Sequence, residues 1–244
     1  MRDKFMPIIE FNNSYENIGI QTRKQTVGIE LDMVKNFIEH KKTRFSEKPD
    51  KNLAIFIEPK INNAYPDIIF AEYNPTSYEL WSKLRNELDI FDLKVLSFIY
   101  STNETTSDEI INKLSIKYKG LLHSIEKLYD ANLICRQDSK WSIINKKFWG
   151  LRKIECVEAK ISKWNEVFQQ AVLNTTFSSE SSVLSKVKRD PRDNIRTAFS
   201  NFGIGIYIYD DLGFSNISKP RKVKIPINHN SLLINEWIGR TLNQ

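Results

Sequence analysis

The chain has 244 residues and a net charge of +6, with 41% hydrophobic and 27% charged residues. That balance excludes a disordered or fibrous chain, leaves room for one large domain or a domain carrying a smaller module, and suits a polyanionic partner. Two isolated cysteines, Cys135 and Cys156, exclude a disulfide scaffold and a paired-cysteine zinc site. No run approaches the roughly 20 apolar residues that cross a bilayer. The N-terminus also lacks a signal-peptide pattern, so a cytoplasmic protein is expected.

Taken in chain order, Thr26 to His40 places Ile29, Met33 and Phe37 on one face and predicts an amphipathic helix, with Lys41 to Asp50 as a charged linker. Leu53–Ile57 and Asp67–Tyr73 are β-forming runs around a turn at Asn62-Asn63, which predicts a hairpin. Helical spacing covers Asp89 to Tyr100. A second helix runs from Asp108 to Leu114 behind the capping pair Thr106-Ser107, and a third from about Lys117 to Ala131. Leu133–Arg136, a polar turn and Trp141–Ile144 follow as a second hairpin. Three short helices and a hairpin, spelled TSDEIINKLSIKYKGLLHSIEKLYDANLICRQDSKWSI, resemble the winged helix-turn-helix family. The last third alternates strands (Ile154–Ile161, Ser181–Val187, Gly203–Tyr209) with helices (Trp164–Asn174, Pro191–Phe202) and closes on an amphipathic helix, Ser231–Leu242.

The residues that suggest chemistry are Pro66-Asp67 and, far downstream, Glu158-Ala159-Lys160. Hard divalent ions prefer carboxylate oxygens and keep several waters, so Asp67 and Glu158 on neighbouring strands can hold one ion. Side chains alternate along a strand, so Lys160 shares a face with Glu158 and can orient water or stabilise charge on phosphorus. The earlier Glu58-Pro59-Lys60 is set aside as a motif because it precedes the aspartate and its proline breaks a ladder. The segments AYPDIIFAEYN and IECVEAKISKWNEVFQQA, with the later AFSNFGIGIYIYDD, resemble the PD-(D/E)XK nuclease superfamily. The resemblance implies a restriction-endonuclease-like α/β fold, a mixed central sheet flanked by helices, and Mg²⁺ or Mn²⁺ as cofactor. It implies catalytic roles for Asp67, Glu158 and Lys160, a positioning role for Gln170 in the following helix, and Glu30 as a further metal ligand.

The expected organisation is a discontinuous core of residues 1–84 and 151–244 with a winged-helix insert at 85–150. Lys117, Lys119, His123 and Lys127 along the third helix of the insert, with Arg136 and Lys140 at its hairpin, are the expected DNA contacts. The tract Lys186-Val187-Lys188-Arg189 is a further candidate phosphate contact. The expected function is a DNA endonuclease of restriction or defence type, with DNA as partner and a homodimer as one route to double-strand cutting. Two alternatives stand beside it: a non-catalytic DNA-binding protein on a nuclease-like fold, and a nuclease recruited by protein docking of the insert.

Overall fold

The computed structural model describes residues 8–24, 27–45, 50–144, 148–161, 163–187 and 191–244. In chain order the elements are β1 (Ile8–Phe11), α1 (Ile29–Arg44), β2 (Asn52–Ile57), β3 (Ile68–Tyr73), α2 (Ile90–Thr102), β4 (Glu104–Thr105), α3 (Ser107–Leu114) and α4 (Tyr118–Asp130). There follow β5 (Ile134–Gln137), β6 (Lys140–Ile143), β7 (Leu151–Ala159), α5 (Trp164–Asn174), β8 (Glu180–Ser185), α6 (Asp193–Asn201), β9 (Gly205–Asp210), β10 (Gly213–Ser218) and α7 (His229–Leu242). The chain divides into two units: the described residues of Met1–Tyr73 and Arg152–Pro226, and those of Asn74–Leu151 and Ile227–Gln244.

The first unit is mixed α/β, a central sheet flanked by helices. Its strands lie in the order β1-β2-β3-β7-β8-β9-β10. β1 runs parallel to β2, and β7, β8 and β9 are mutually parallel, whereas the β2/β3 and β9/β10 pairs are antiparallel. β2 is buried along its whole length because both faces are covered. Met33, Val34, Phe37 and Ile38 of α1 pack on one face against Ile55, Phe70 and Val157. Val167 and Ala171 of α5 and Phe199 of α6 pack with Val183, Ile206 and Ile208. Val183 and its neighbour Leu184 fall in these two different clusters, as the two-residue strand period requires. The expected linker is shorter than read: α1 continues through Lys41–Arg44, where the basic side chains suit the negative end of the helix. Thr26, at the expected helix start, and Lys188 and Arg189 lie outside the described residues. Strands β1 and β10 were not anticipated from the sequence.

The second unit holds α2, α3 and α4 and a three-stranded sheet in the order β4-β6-β5. Thr106 caps α3 as expected, in a reciprocal pair: its hydroxyl accepts from Glu109 N (3.3 Å), and Glu109 Oε2 accepts from Thr106 N (2.8 Å). Leu93, Leu96, Ile110, Leu121, Ile125 and Leu128 form its core. The C-terminal helix α7 and the segment from Asn74 onward belong here, not to the α/β unit in which the sequence reading placed them. The cause lies in the buried polar side chains of α7. Glu236, fully buried, pairs with Arg85 through both guanidinium Nε (3.0 Å) and Nη2. Asn235 Oδ1 accepts from Tyr78 Oη (2.9 Å) and Gly150 N (3.0 Å), and Arg240 Nη2 donates to Leu88 O (2.6 Å). Gly239 lies so close to the Trp81 ring that a Cβ there would fall within 2.0 Å of it.

Candidate active site

β3 and β7 are neighbours in the sheet. Ile68 and Phe70 of β3 and Val157 and Ala159 of β7 point to the α1 side, so alternation turns Asp67 and Glu158 to the other face, towards α5. Asp67 Oδ2 accepts a hydrogen bond from Ala159 N at 2.7 Å, which ties the head of β3 to the end of β7. The Arg23 guanidinium lies 3.4 Å from Asp67 Oδ1 and 2.6 Å from Glu58 Oε2. Glu158, only 2% exposed, accepts from Asn174 Nδ2 of α5 at 2.6 Å through Oε1. Its second oxygen, Oε2, is buried without a donor.

Burial first, and then the like charge of Asp67, holds Glu158 well above the usual carboxylate range. Burial also pushes Asp67 up to about 6; Glu58 adds to this, against the Ala159 amide, Arg23 and Lys160, which pull it down. A buried carboxyl facing a half-buried one, with an unanswered oxygen, is short of positive charge, and either a shared proton or a cation relieves the pair. Their oxygens suit a hard divalent ion that keeps part of its water shell. No group of three or more His, Cys, Asp or Glu side chains that could hold a metal ion occurs among the described residues. A metal here would therefore rest on two protein carboxylates, with water or substrate oxygens completing its shell.

Lys160 follows directly on β7, and its Nζ lies 3.3 Å from Glu30 Oε2 in the first turn of α1. Glu30 Oε1 accepts from Ile161 N at 3.4 Å. The structure thus gathers Asp67, Glu158, Lys160 and Glu30 at one end of β3 and β7. It does not bring Gln170 to them: that side chain is exposed on α5. Asn174, one turn further, takes the contact with Glu158 instead. It completes the buried stripe Val167-Ala171-Asn174, a spacing that was readable in the sequence. Glu58, which the resemblance implied near the metal although its own motif was set aside, borders Asp67, as does Arg23, and Glu58 N also donates to Asp67 O at 3.0 Å. Nothing local in the sequence announces the Arg23 contact, which spans 44 positions. Cys156, on the same strand, is a buried free thiol, as expected.

In the second unit the six expected DNA contacts separate into two groups. Lys117, Lys119 and His123 rim a shallow depression floored by Phe91, Ile116 and Gly120. Arg136 is exposed, with its guanidinium 5.5 Å from the centre of the Trp141 ring. Lys127 is turned inward: it pairs with Asp92 at 3.0 Å and Asp89 at 3.6 Å, neutralising the acidic start of α2. Lys140 pairs with Glu104 across the β4/β6 ladder at 2.6 Å.

Neither a family model nor a solved structure matches the chain. Two curated relatives match in part: Transcription factor E from two strains of Methanococcus maripaludis, each 34% identical over 61 residues. The matched stretch is 25% of this chain and 34% of each relative, so the chain spans about a third of the length of these relatives. Among the described residues no helix is long and apolar enough to cross a membrane.

Proposed function

We propose that this protein is a divalent-metal-dependent DNA endonuclease, with a restriction-endonuclease-like core and a winged helix-turn-helix module. The observation that carries the reading is the Asp67–Glu158 pair: a half-buried carboxyl at the head of one strand and a buried one on its neighbour, one oxygen unsatisfied, with the Lys160 ammonium at the same strand end. Asp67 and Glu158 would hold Mg²⁺ or Mn²⁺, with Glu30 close enough to Lys160 to fix its position. A divalent ion bound there would polarise a phosphoryl oxygen and lower the pKa of its bound water. Lys160 then offers a cation for charge developing on the phosphate. Asn174 holds Glu158 in one rotamer, whereas Gln170, expected to position substrate, is exposed on α5. Because Asp67 titrates near 6, protons compete with the metal, and affinity for it falls as the pH drops through that value.

In the second unit, Lys117, Lys119, His123 and Arg136 are the side chains left to meet phosphates and base edges, since Lys127 and Lys140 are committed to Asp92 and Glu104. The partial likeness to Transcription factor E supports a DNA partner and favours a second reading, a DNA-binding protein that does not cut. The experiment is incubation of supercoiled plasmid with Mg²⁺ or Mn²⁺, using wild type and Asp67→Ala. Wild type is expected to nick or linearise the plasmid, and Asp67→Ala to lose at least about 10³-fold of that activity, as removal of a preorganised charged group does. Undiminished cutting by Asp67→Ala would remove the site assignment. Salt-sensitive binding with no cutting by wild type would leave the second reading standing.

A further inference from the structure

Arg23 reaches the site from the loop before α1, and its environment sets it apart from an ordinary surface cation. Its backbone N donates to Glu58 O at 3.1 Å, and the preceding Thr22 forms an isolated bridge with Pro59, so the loop is fastened beside β2. Its guanidinium then spans two carboxylates, Glu58 at 2.6 Å and Asp67 at 3.4 Å, while its side chain stays 52% exposed. Glu58 is held in the left-handed region, φ 48°, so its carboxylate is presented beside Asp67 by an unusual backbone turn.

We infer that Arg23 is a placeholder cation: it stands on Asp67 Oδ1, the oxygen left for a divalent ion shared with Glu158 once Oδ2 accepts from Ala159 N, and it must withdraw for the metal to bind. This rests on the assignment of Asp67 as a metal ligand. Three features support it. The guanidinium is the one side-chain cation that touches both Glu58 and Asp67 among the described residues. It is half-exposed, so it can swing into solvent without a large loss, because exposed ion pairs contribute little. Its charge also answers Asp67 but leaves Glu158 Oε2 without a donor, so the site is only half neutralised while Arg23 stays in place. Removing Arg23 would therefore strengthen metal binding, whereas removing a structural prop would weaken it.

The test is titration of the full chain with MnCl₂, read by calorimetry, for wild type, Arg23→Gln, Arg23→Lys and Asp67→Asn. Arg23→Gln is expected to bind Mn²⁺ at least about tenfold more tightly than wild type, with Arg23→Lys in between and Asp67→Asn binding none. A metal-free thermal melt is expected to show Arg23→Gln unfolding earlier than wild type, with saturating Mn²⁺ removing the difference. Equal or weaker affinity in Arg23→Gln, or in Arg23→Lys should Arg23→Gln fail to fold, overturns the placeholder alone. No Mn²⁺ uptake by wild type and Arg23→Gln alike overturns the metal reading of the site as well.

Discussion

Glu155 and Glu158 stand three residues apart on β7 and are buried to the same degree, 3% and 2% exposed, yet they live in opposite electrostatic surroundings. Glu155 accepts from Lys41 Nζ at 2.6 Å and Lys153 Nζ at 3.0 Å, and the Tyr207 hydroxyl lies 3.4 Å away. Lys153 reaches on to Glu180 at 3.0 Å, so two acids and two ammonium groups close a neutral chain. Burial alone would raise Glu155, but Lys41 and Lys153 override it and the net shift is downward. Glu158 has one amide donor and a carboxylate for a neighbour, and its shift is upward. The same residue on the same strand is in one place a paired structural charge and in the other a charge left hungry. A buried acid kept without its counter-ion costs stability, and such a cost is found where function calls for it.

The largest effect expected from this contrast is at the paired end. Glu155→Gln leaves Lys41 with no carboxylate partner and Lys153 with Glu180 alone, and removing one partner from a buried ion network costs about 3–5 kcal/mol. Urea denaturation at neutral pH checks it; a loss under about 1 kcal/mol would mean the network is not the anchor it looks like. The opposite sign is expected three residues later. Glu158→Gln keeps the Asn174 contact, removes a buried charge and supplies an amide that can donate to Asp67. Metal-free protein should gain about 1 kcal/mol, a Tm rise of about 2–4 °C, while Mn²⁺ binding is lost. A lower Tm would break the contrast.

A third effect is read by pH. Asp67 has a folded pKa of about 6 against an ordinary value of 3.8, so between those limits the folded chain binds more protons than the unfolded one. Its contribution to metal-free stability therefore falls as the pH rises from about 4 to 6. The Glu155 contribution runs the other way: it is present above the ordinary glutamate range and is lost on acidification. Comparing wild type with Asp67→Asn across this window isolates the first trend, and the variant should lack it.

Much of the sheet was legible because burial on one or both faces writes itself as alternation or as an apolar run. Leu53–Ile57, Asp67–Tyr73 and Ile154–Ile161 are such runs, the last offset from β7 at both ends, and Trp164–Asn174 was placed to the residue. The convergence of Asp67 with Glu158 required their strands to be neighbours, which the resemblance implied and the sheet order shows. What stayed hidden depends on partners far along the chain. α7 reads as an amphipathic helix for any apolar face, and its partners in the second unit, the core around Leu232 and the groups that meet the buried Asn235, Glu236 and Arg240, lie far along the chain. Lys127 reads as an exposed cation until Asp89 and Asp92 are seen beside it. Gln170 carried the resemblance, but the helix phase turns it to solvent and Asn174 inward.

The Arg85–Glu236 pair has a consequence for how the polypeptide is made. On the ribosome, α2, α3 and α4 emerge before α7, so the guanidinium of Arg85 lacks its Glu236 counter-charge until α7 has been synthesised. The second unit is then completed only when α7 joins the helices made before it. A recombinant fragment ending after β6 would carry the same orphaned cation into its interior, so the segment that looks like a free-standing module cannot simply be excised at its apparent boundaries.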